Sequence, residues 1–499
     1  MSPNYILIAI TGYFCLLLVI SWYTSRKADN QSYFIGNKNS PWFVVAFGMI
    51  GDSLSGVTFI SLPGTVQASQ FGYMQLVLGY VLGYFLIAKV LLPIFYKDNL
   101  TSIYSYLGSR FGRYSQMTGS FYFLVSRLIG AALRLFLAAA VLQLFLFDYY
   151  HIPFYISVSI IIALMLVYTY RGGIKTLVWT DTFQSSLLLL GVVFSIIAIG
   201  QQLNIEPSQL VSKIRESNMD QVFFWDWREP NFFFKQFISG AFICVVMTGL
   251  DQNMMQKNLS IPKLADAQKN VYWFSIIVVF VNLLFVALGA LLFIYADAQQ
   301  IALPINAETG KVITDKVFPF LALNHLGALA ALVFIIGLTA ATFNSADSVL
   351  TTLTTSFCID FLRIDDACEY TEKKKKNIRH LVHFGFAILL LITIIISGSI
   401  AKTNVLDTIF KVAAYTYGPL LGLFVFGLFT KKSLKDNWVP IICIVPPILS
   451  WLLAENSVQL LNGYKFGYEL LIINGILTFS GLMLISKKQI NLIINKQTI

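Results

Sequence analysis

Charge is what this chain has least of. Only 12% of its 499 residues are Asp, Glu, Lys or Arg, about half the share usual for a soluble globular protein. With 57% apolar residues and a mean hydropathy of +0.71, too little charge remains to wet the outside of soluble domains. Disordered and collagen-like readings fail on the same count. Cysteine is scarce too: Cys15, Cys244, Cys358, Cys368 and Cys443 are odd in number and scattered, so neither a disulfide framework nor a paired-cysteine metal site is indicated. The four histidines (His151, His325, His380, His383) show no metal-ligand spacing, and no HExxH, GxSxG or P-loop occurs. Without a catalytic set, an enzyme is not expected. What is present instead is long apolar runs, and these describe an integral membrane protein whose first partner is the lipid bilayer.

A hydrocarbon core about 30 Å thick needs roughly 20 apolar residues per helix. That ruler gives thirteen spans: 5–23, 41–67, 72–96, 117–146, 153–170, 179–201, 233–250, 270–297, 326–358, 379–400, 404–430, 437–454 and 466–486. All are continuous runs rather than ten-residue alternations, so the expected class is all-α and not a β-barrel. No Lys or Arg precedes the first span, no small-residue cleavage site follows it, and Arg26 and Lys27 come directly after. It therefore reads as a retained helix with its N-terminus outside. Loops then assigned to the cytoplasm hold 23 Lys and Arg against 7 outside, as the positive-inside rule requires. The net charge of +10 is thus a topology signal, and the Lys373–Lys376 run a cytoplasmic anchor rather than a nucleic-acid patch. Multi-pass insertion in the plasma (inner) membrane with a cytoplasmic C-terminus is expected, with no obligate protein partner.

Polar residues inside spans are costly and mark function. In 41–67, Gly48, Gly51 and Gly56 surround Asp52, Ser53, Ser55 and Thr58. They lie about eleven residues in, roughly 16 Å along a helix and so near the midplane. Glycine and serine there weaken the helix, and unwinding frees carbonyls for a hard cation such as Na⁺; close small-residue packing is the plainer alternative. In 326–358, helical spacing lines up Ala341, Asn344, Ser345 and Ser348 with Asp347 beside them. These are hard oxygen ligands, suited to Na⁺ rather than Zn²⁺ or Cu⁺. Asp181 stands just inside the span after the Arg171–Lys175 turn, favouring a helix N-terminus or serving an ion exit path. Arg127 and Arg134 share one face of 117–146. Arg134, near the midplane, would pair with Asp52, hold a substrate carboxylate, or serve a structural ion pair.

At these residues the chain resembles the sodium:solute symporter family. The run Gly172-Gly173 to Trp179-Thr180-Asp181 and Gln184 carries the resemblance most specifically. Ser53-Leu54-Ser55-Gly56 with Thr58-Phe59, Asn344-Ser345 with Asp347-Ser348, Asp251-Gln252 with Gln256, and Tyr417 to Leu420 support it. The resemblance implies a LeuT-type 5+5 inverted-repeat core, here 41–201 and 233–430, within one transporter domain of about 13 transmembrane helices. Spans 5–23, 437–454 and 466–486 would lie outside that core. It implies a main sodium site of the Gly51, Leu54 and Ala341 carbonyls with the side chains of Asn344 and Ser345. Asp181, Asp347 and Ser348 fall where some members hold a second Na⁺. Substrate contacts would come from Asp52, Ser53, Ser55, Thr58, Gln75, Arg134, Met247 and Thr248. Several residues depart from the family pattern: Asn344 stands for a hydroxyl, Asp347 for a serine, and Cys244 and Met247 for the sugar carriers' Asn and Tyr. The sialic acid members' arginine falls near Ala132, not on Arg134. The implied activity is Na⁺-coupled import of a sugar, a sialic acid-like or another organic acid by alternating access. The rivals are proton coupling through Asp52 or Asp347, and a channel, which would need continuous polar stripes rather than local clusters.

Overall fold

The computed structural model describes residues 3–25, 33–34, 36–307, 309–364, 370–400 and 405–487. Expectations that rest on Arg26, Lys27, Cys368, Lys402 and the chain after 487 lie outside the described residues. Among those described, eight helices are long and apolar enough to span a bilayer, and three bent pairs pass that test together. Two shorter apolar helices, Phe154–Val167 and Leu470–Leu484, complete a one-to-one match with the thirteen apolar segments of the sequence.

In chain order these are α1 (Pro3–Ser25), the pair α2 (Trp42–Ser53) and α3 (Gly56–Ser69), α4 (Tyr73–Lys97), α5 (Arg113–Tyr150), α6 (Phe154–Val167) and α7 (Gly173–Gln202). The pair α8 (Phe233–Gly249) and α9 (Gln252–Leu259) follows, then α10 (Leu264–Ala298). A non-spanning helix, α11 (Thr314–Asn324), comes next. After it run α12 (Ala328–Phe361), α13 (Glu372–Gly398), the pair α14 (Val405–Thr416) and α15 (Gly418–Phe429), α16 (Asp436–Glu455) and α17 (Leu470–Leu484). A two-residue strand pair, Ser433–Leu434 with Ser486–Lys487, ties the end of α15 to the end of α17.

Burial separates core from rim. In α12, 72% of the apolar window is buried inside the protein, against 22–28% in α1, α13 and α16. α12 packs along α7 and α5, while α4 packs along α8. The outward faces carry Leu381, Ile396, Ile444 and Phe429, apolar surface that lipid covers. Where the backbone must leave regular helix, the sequence supplies the means. Gly173 takes φ +52° between α6 and α7, and a Cβ there would lie 2.5 Å from the Tyr33 backbone, so only glycine fits both the conformation and the space.

Three expectations change. The turn over 171–178 contracts to a kink at Gly173. The eleventh segment is bent by 46° near Tyr417, where Pro419 lacks a donor for the ladder. The seventh segment does not end at 250: after a 63° bend it continues as α9, whose first turn is capped by the Asp251 carboxylate on the Asn253 and Met254 amides. Lys257, counted from sequence among the cytoplasmic loop charges, therefore sits in the core with its side chain 1% exposed. The charge asymmetry survives its removal.

Candidate functional site

The site forms where the two bent spans meet α12. Between α2 and α3 the chain turns by 59°, with Leu54 at φ −103°, ψ 70°, so the carbonyls of Gly51–Leu54 leave the helical ladder. Gly51 donates its N–H to Ser185 Oγ at 2.9 Å, and that hydroxyl donates to Gly48 O at 3.1 Å. Across the gap, Ser345 Oγ reaches Ala341 O at 3.2 Å and Gly51 O at 3.4 Å. Asn344 Nδ2 donates to the Asp181 carbonyl at 3.2 Å, while its Oδ1 is buried with no hydrogen-bond partner. A Cβ on Gly51 would lie 2.3 Å from that amide. Gly51, Ala341, Asn344 and Ser345 are thus brought together, with Leu54 at the adjoining break. An orphaned buried amide oxygen beside two carbonyls and a hydroxyl is the donor set that a hard monovalent cation fits.

Beside it stands the feature the sequence concealed. The Lys257 ammonium forms ion pairs with Asp52 and Asp181 and donates to Ser348 Oγ at 3.0 Å. One turn earlier on α9, Asn253 Nδ2 contacts Asp52 Oδ1 at 3.4 Å and its Oδ1 accepts from Thr352 at 3.1 Å. Asp181 and Ser348 are therefore engaged by an ammonium. Asp347, fully buried, accepts the Ser348 N–H at 2.6 Å. Only the length of the apolar run argued for ending the span at 250. The Asp251 cap followed by Gln252–Leu259 is the signal that α9 exists.

A cavity opens on the other side of Asp52. It encloses about 670 Å³ of empty space, open solvent at its mouth included. Asp52, Ser53, Ser55, Thr58, Arg134, Met247 and Thr248 line it, as do Cys244 and the apolar Leu406, Ile409 and Phe410 of α14. Tyr73, Tyr80 and Tyr84 add an aromatic wall. Sequence reasoning overlooked these tyrosines, although their spacing of seven and four puts them on one face of α4. Gln75 departs from expectation. It is absent from the lining, and its amide is committed to the backbones of Gly72, Asn231 and Phe224, so it fastens a loop rather than facing a solute.

The pocket's two arginines differ. Arg127 makes a 2.6 Å ion pair with Asp251, whose Oδ2 also accepts from the Tyr417 hydroxyl at 2.7 Å. Arg134 has no ion pair among the described residues, and its Nε is buried without a partner. Nor does it meet Asp52, the partner sequence reasoning entertained, because Lys257 holds that carboxylate. Near the pocket's α14 wall, Asp315 of α11 accepts the Val405 N–H at 3.1 Å and joins α11 to the start of α14. Burial pushes the Asp315 carboxyl above its usual range, and hydrogen bonds from Val405 and Thr314 restrain the shift.

Comparison with known proteins identifies the fold and the family. A sodium/sialic acid symporter of Proteus mirabilis is 23% identical over 473 residues, covering 91% of this chain and 90% of that protein. The human sodium/iodide cotransporter is 23% identical over 437 residues, covering 84% and 65%. The structure of a substrate-bound, outward-open Na⁺-coupled sialic acid symporter superimposes with a TM-score of 0.81 at 20% identity, covering 97% of this chain and 99% of that one. The fold is thus the LeuT-type architecture. The sequence pattern of the sodium:solute symporter family matches residues 33–436, and the chain belongs to that family, as a sodium-coupled symporter of a small solute.

Proposed function

We propose that the chain carries a small organic acid inward with Na⁺ and that Arg134 is the anchor for the acid's carboxylate. The observation that carries this is the charge pairing of the pocket. Asp52 is taken by Lys257 and Arg127 by Asp251, which leaves Arg134 as the lining cation without a counter-ion among the described residues. A guanidinium whose Nε is shielded from solvent and unpaired carries a desolvation cost, and a solute carboxylate, held bidentately, removes it. The tyrosine face of α4 and the Ser55, Thr58 and Thr248 hydroxyls suit an apolar or hydroxylated body. The solutes named for relatives include sialic acid, monocarboxylates and iodide, all anionic.

In this reading Na⁺ binds at the Gly51, Leu54, Ala341, Asn344 and Ser345 oxygens, bracing α2 against α12 in the open form. The solute then binds beside the same unwound segment, so each ligand favours the backbone arrangement the other needs. The two inverted repeats would span 41–201 and 233–430, each opened by a bent span. On the same reading the N-terminus lies outside the plasma membrane and the Lys373–Lys376 run at the start of α13 inside, as the charge asymmetry favours. The test is thermal stabilisation of the purified protein by sialic acid, lactate, glucose and proline, in Na⁺ and in choline. Stabilisation by the acids in Na⁺ alone supports the reading; stabilisation by glucose or proline, or by acids equally in choline, contradicts it.

A further inference from the structure

We propose that the Lys257 ammonium is a built-in cation standing where a second sodium would bind, so that the carrier takes one Na⁺ per cycle. This rests on the sodium reading of the Gly51–Ser345 site given above. Asp181 and Ser348 come from α7 and α12, and Asp52 from α2. Their side-chain oxygens converge on one ammonium. An ammonium has three N–H donors and no acceptor, and here all three are used. The lysine reaches in from α9, the far half of the second bent span, and Asn253 one turn earlier holds the same Asp52. The cation is therefore tethered by a capped helix and cannot exchange with solution as an ion would.

Charge makes the place exclusive. A sodium about 4 Å from an ammonium meets a repulsion that, at the effective dielectric of a protein site, lowers its affinity roughly a thousandfold. Without Lys257, Asp52 and Asp181 would instead face each other as bare buried carboxylates, with Asp347 close by. That is a site demanding a cation. The lysine thus fixes stoichiometry: one Na⁺ entering with one monoanion moves no net charge, whereas two would.

Equilibrium binding of ²²Na⁺ to the purified full-length chain in nanodiscs tests this with sodium as the only ligand. The wild type is expected to bind one Na⁺ per chain with a Hill coefficient near 1. Lys257→Arg should keep that value, and Lys257→Ala should bind two with the coefficient rising toward 2. Two ions on the wild type, or one on Lys257→Ala, overturns the proposal and leaves the main sodium site standing. No sodium on either protein overturns the sodium reading itself. If Lys257→Ala is fragile, its melting decides: survival in Na⁺ but not in choline supports replacement by sodium. Equal unfolding in both salts shows a structural brace and overturns the proposal.

Discussion

Replacing Arg134 with glutamine separates a solute anchor from a structural charge. This guanidinium lines the cavity with no ion pair among the described residues. Its loss therefore removes no partner and relieves a desolvation cost, and the melting temperature should hold or rise. Binding is another matter. Hydrogen bonds to a charged group contribute about 1.5–3 kcal/mol, so Arg134→Gln should weaken an organic acid roughly tenfold to hundredfold. Arg127→Gln is the control. It leaves the fully buried Asp251 without its 2.6 Å ion pair, a change that costs about 3–5 kcal/mol of stability. Calorimetric titration of each variant with sialic acid and lactate in saturating Na⁺, beside melting curves, reads both effects. Unchanged acid affinity in a well-folded Arg134→Gln protein would refute the anchor. So would a loss of stability matching that of Arg127→Gln, which would make Arg134 structural.

Ser345→Ala removes a hydroxyl that reaches both Gly51 and Ala341 carbonyls; Na⁺ affinity, read by sodium titration of the melting temperature, should fall roughly tenfold or more, with stability in choline preserved. Gly51→Ala drives a methyl to 2.3 Å from the Asn344 amide, so sodium-dependent stabilisation should vanish, and an unaltered sodium response would contradict the close approach of α2 and α12. Asp315 titrates with a definite sign. Its folded-state pKa lies above the unfolded value, so the penalty on the ionised form is present at neutral pH and shrinks as pH falls through the folded pKa. It is gone below the ordinary carboxylate value near 4. The melting temperature of Asp315→Asn relative to wild type should therefore fall as pH is lowered from 7 toward 4, and a pH-independent difference would contradict it.

The parts of this fold legible in sequence were those written as composition. Thirteen apolar segments, the glycine–serine weakness around Gly51–Gly56 and the oxygen-rich stripe of 344–348 each appear as a local pattern. Partnerships between distant segments did not. A pairing of Asp52 with Arg134 was one of the alternatives because both lie near the midplane, yet depth says nothing about which face of each helix turns inward. Lys257 was hidden for a related reason. Hydropathy ended the seventh span at 250, and α9 is too polar to prolong an apolar run, although Asp251 begins it as a clear N-cap. Gln75 illustrates the converse: a polar residue in an apolar helix whose partners prove to be backbone groups of a loop some 150 residues away.

The central claim is sodium-coupled uptake of an organic acid, and uptake into proteoliposomes tests it most directly. Labelled sialic acid and labelled lactate would be offered under an inward Na⁺ gradient, with choline replacing Na⁺ and an equal inward proton gradient as controls. The account predicts concentrative uptake of at least one acid with Na⁺ alone, lost in Arg134→Gln and in Ser345→Ala. Uptake of equal size in choline, or driven by the proton gradient without Na⁺, would contradict it.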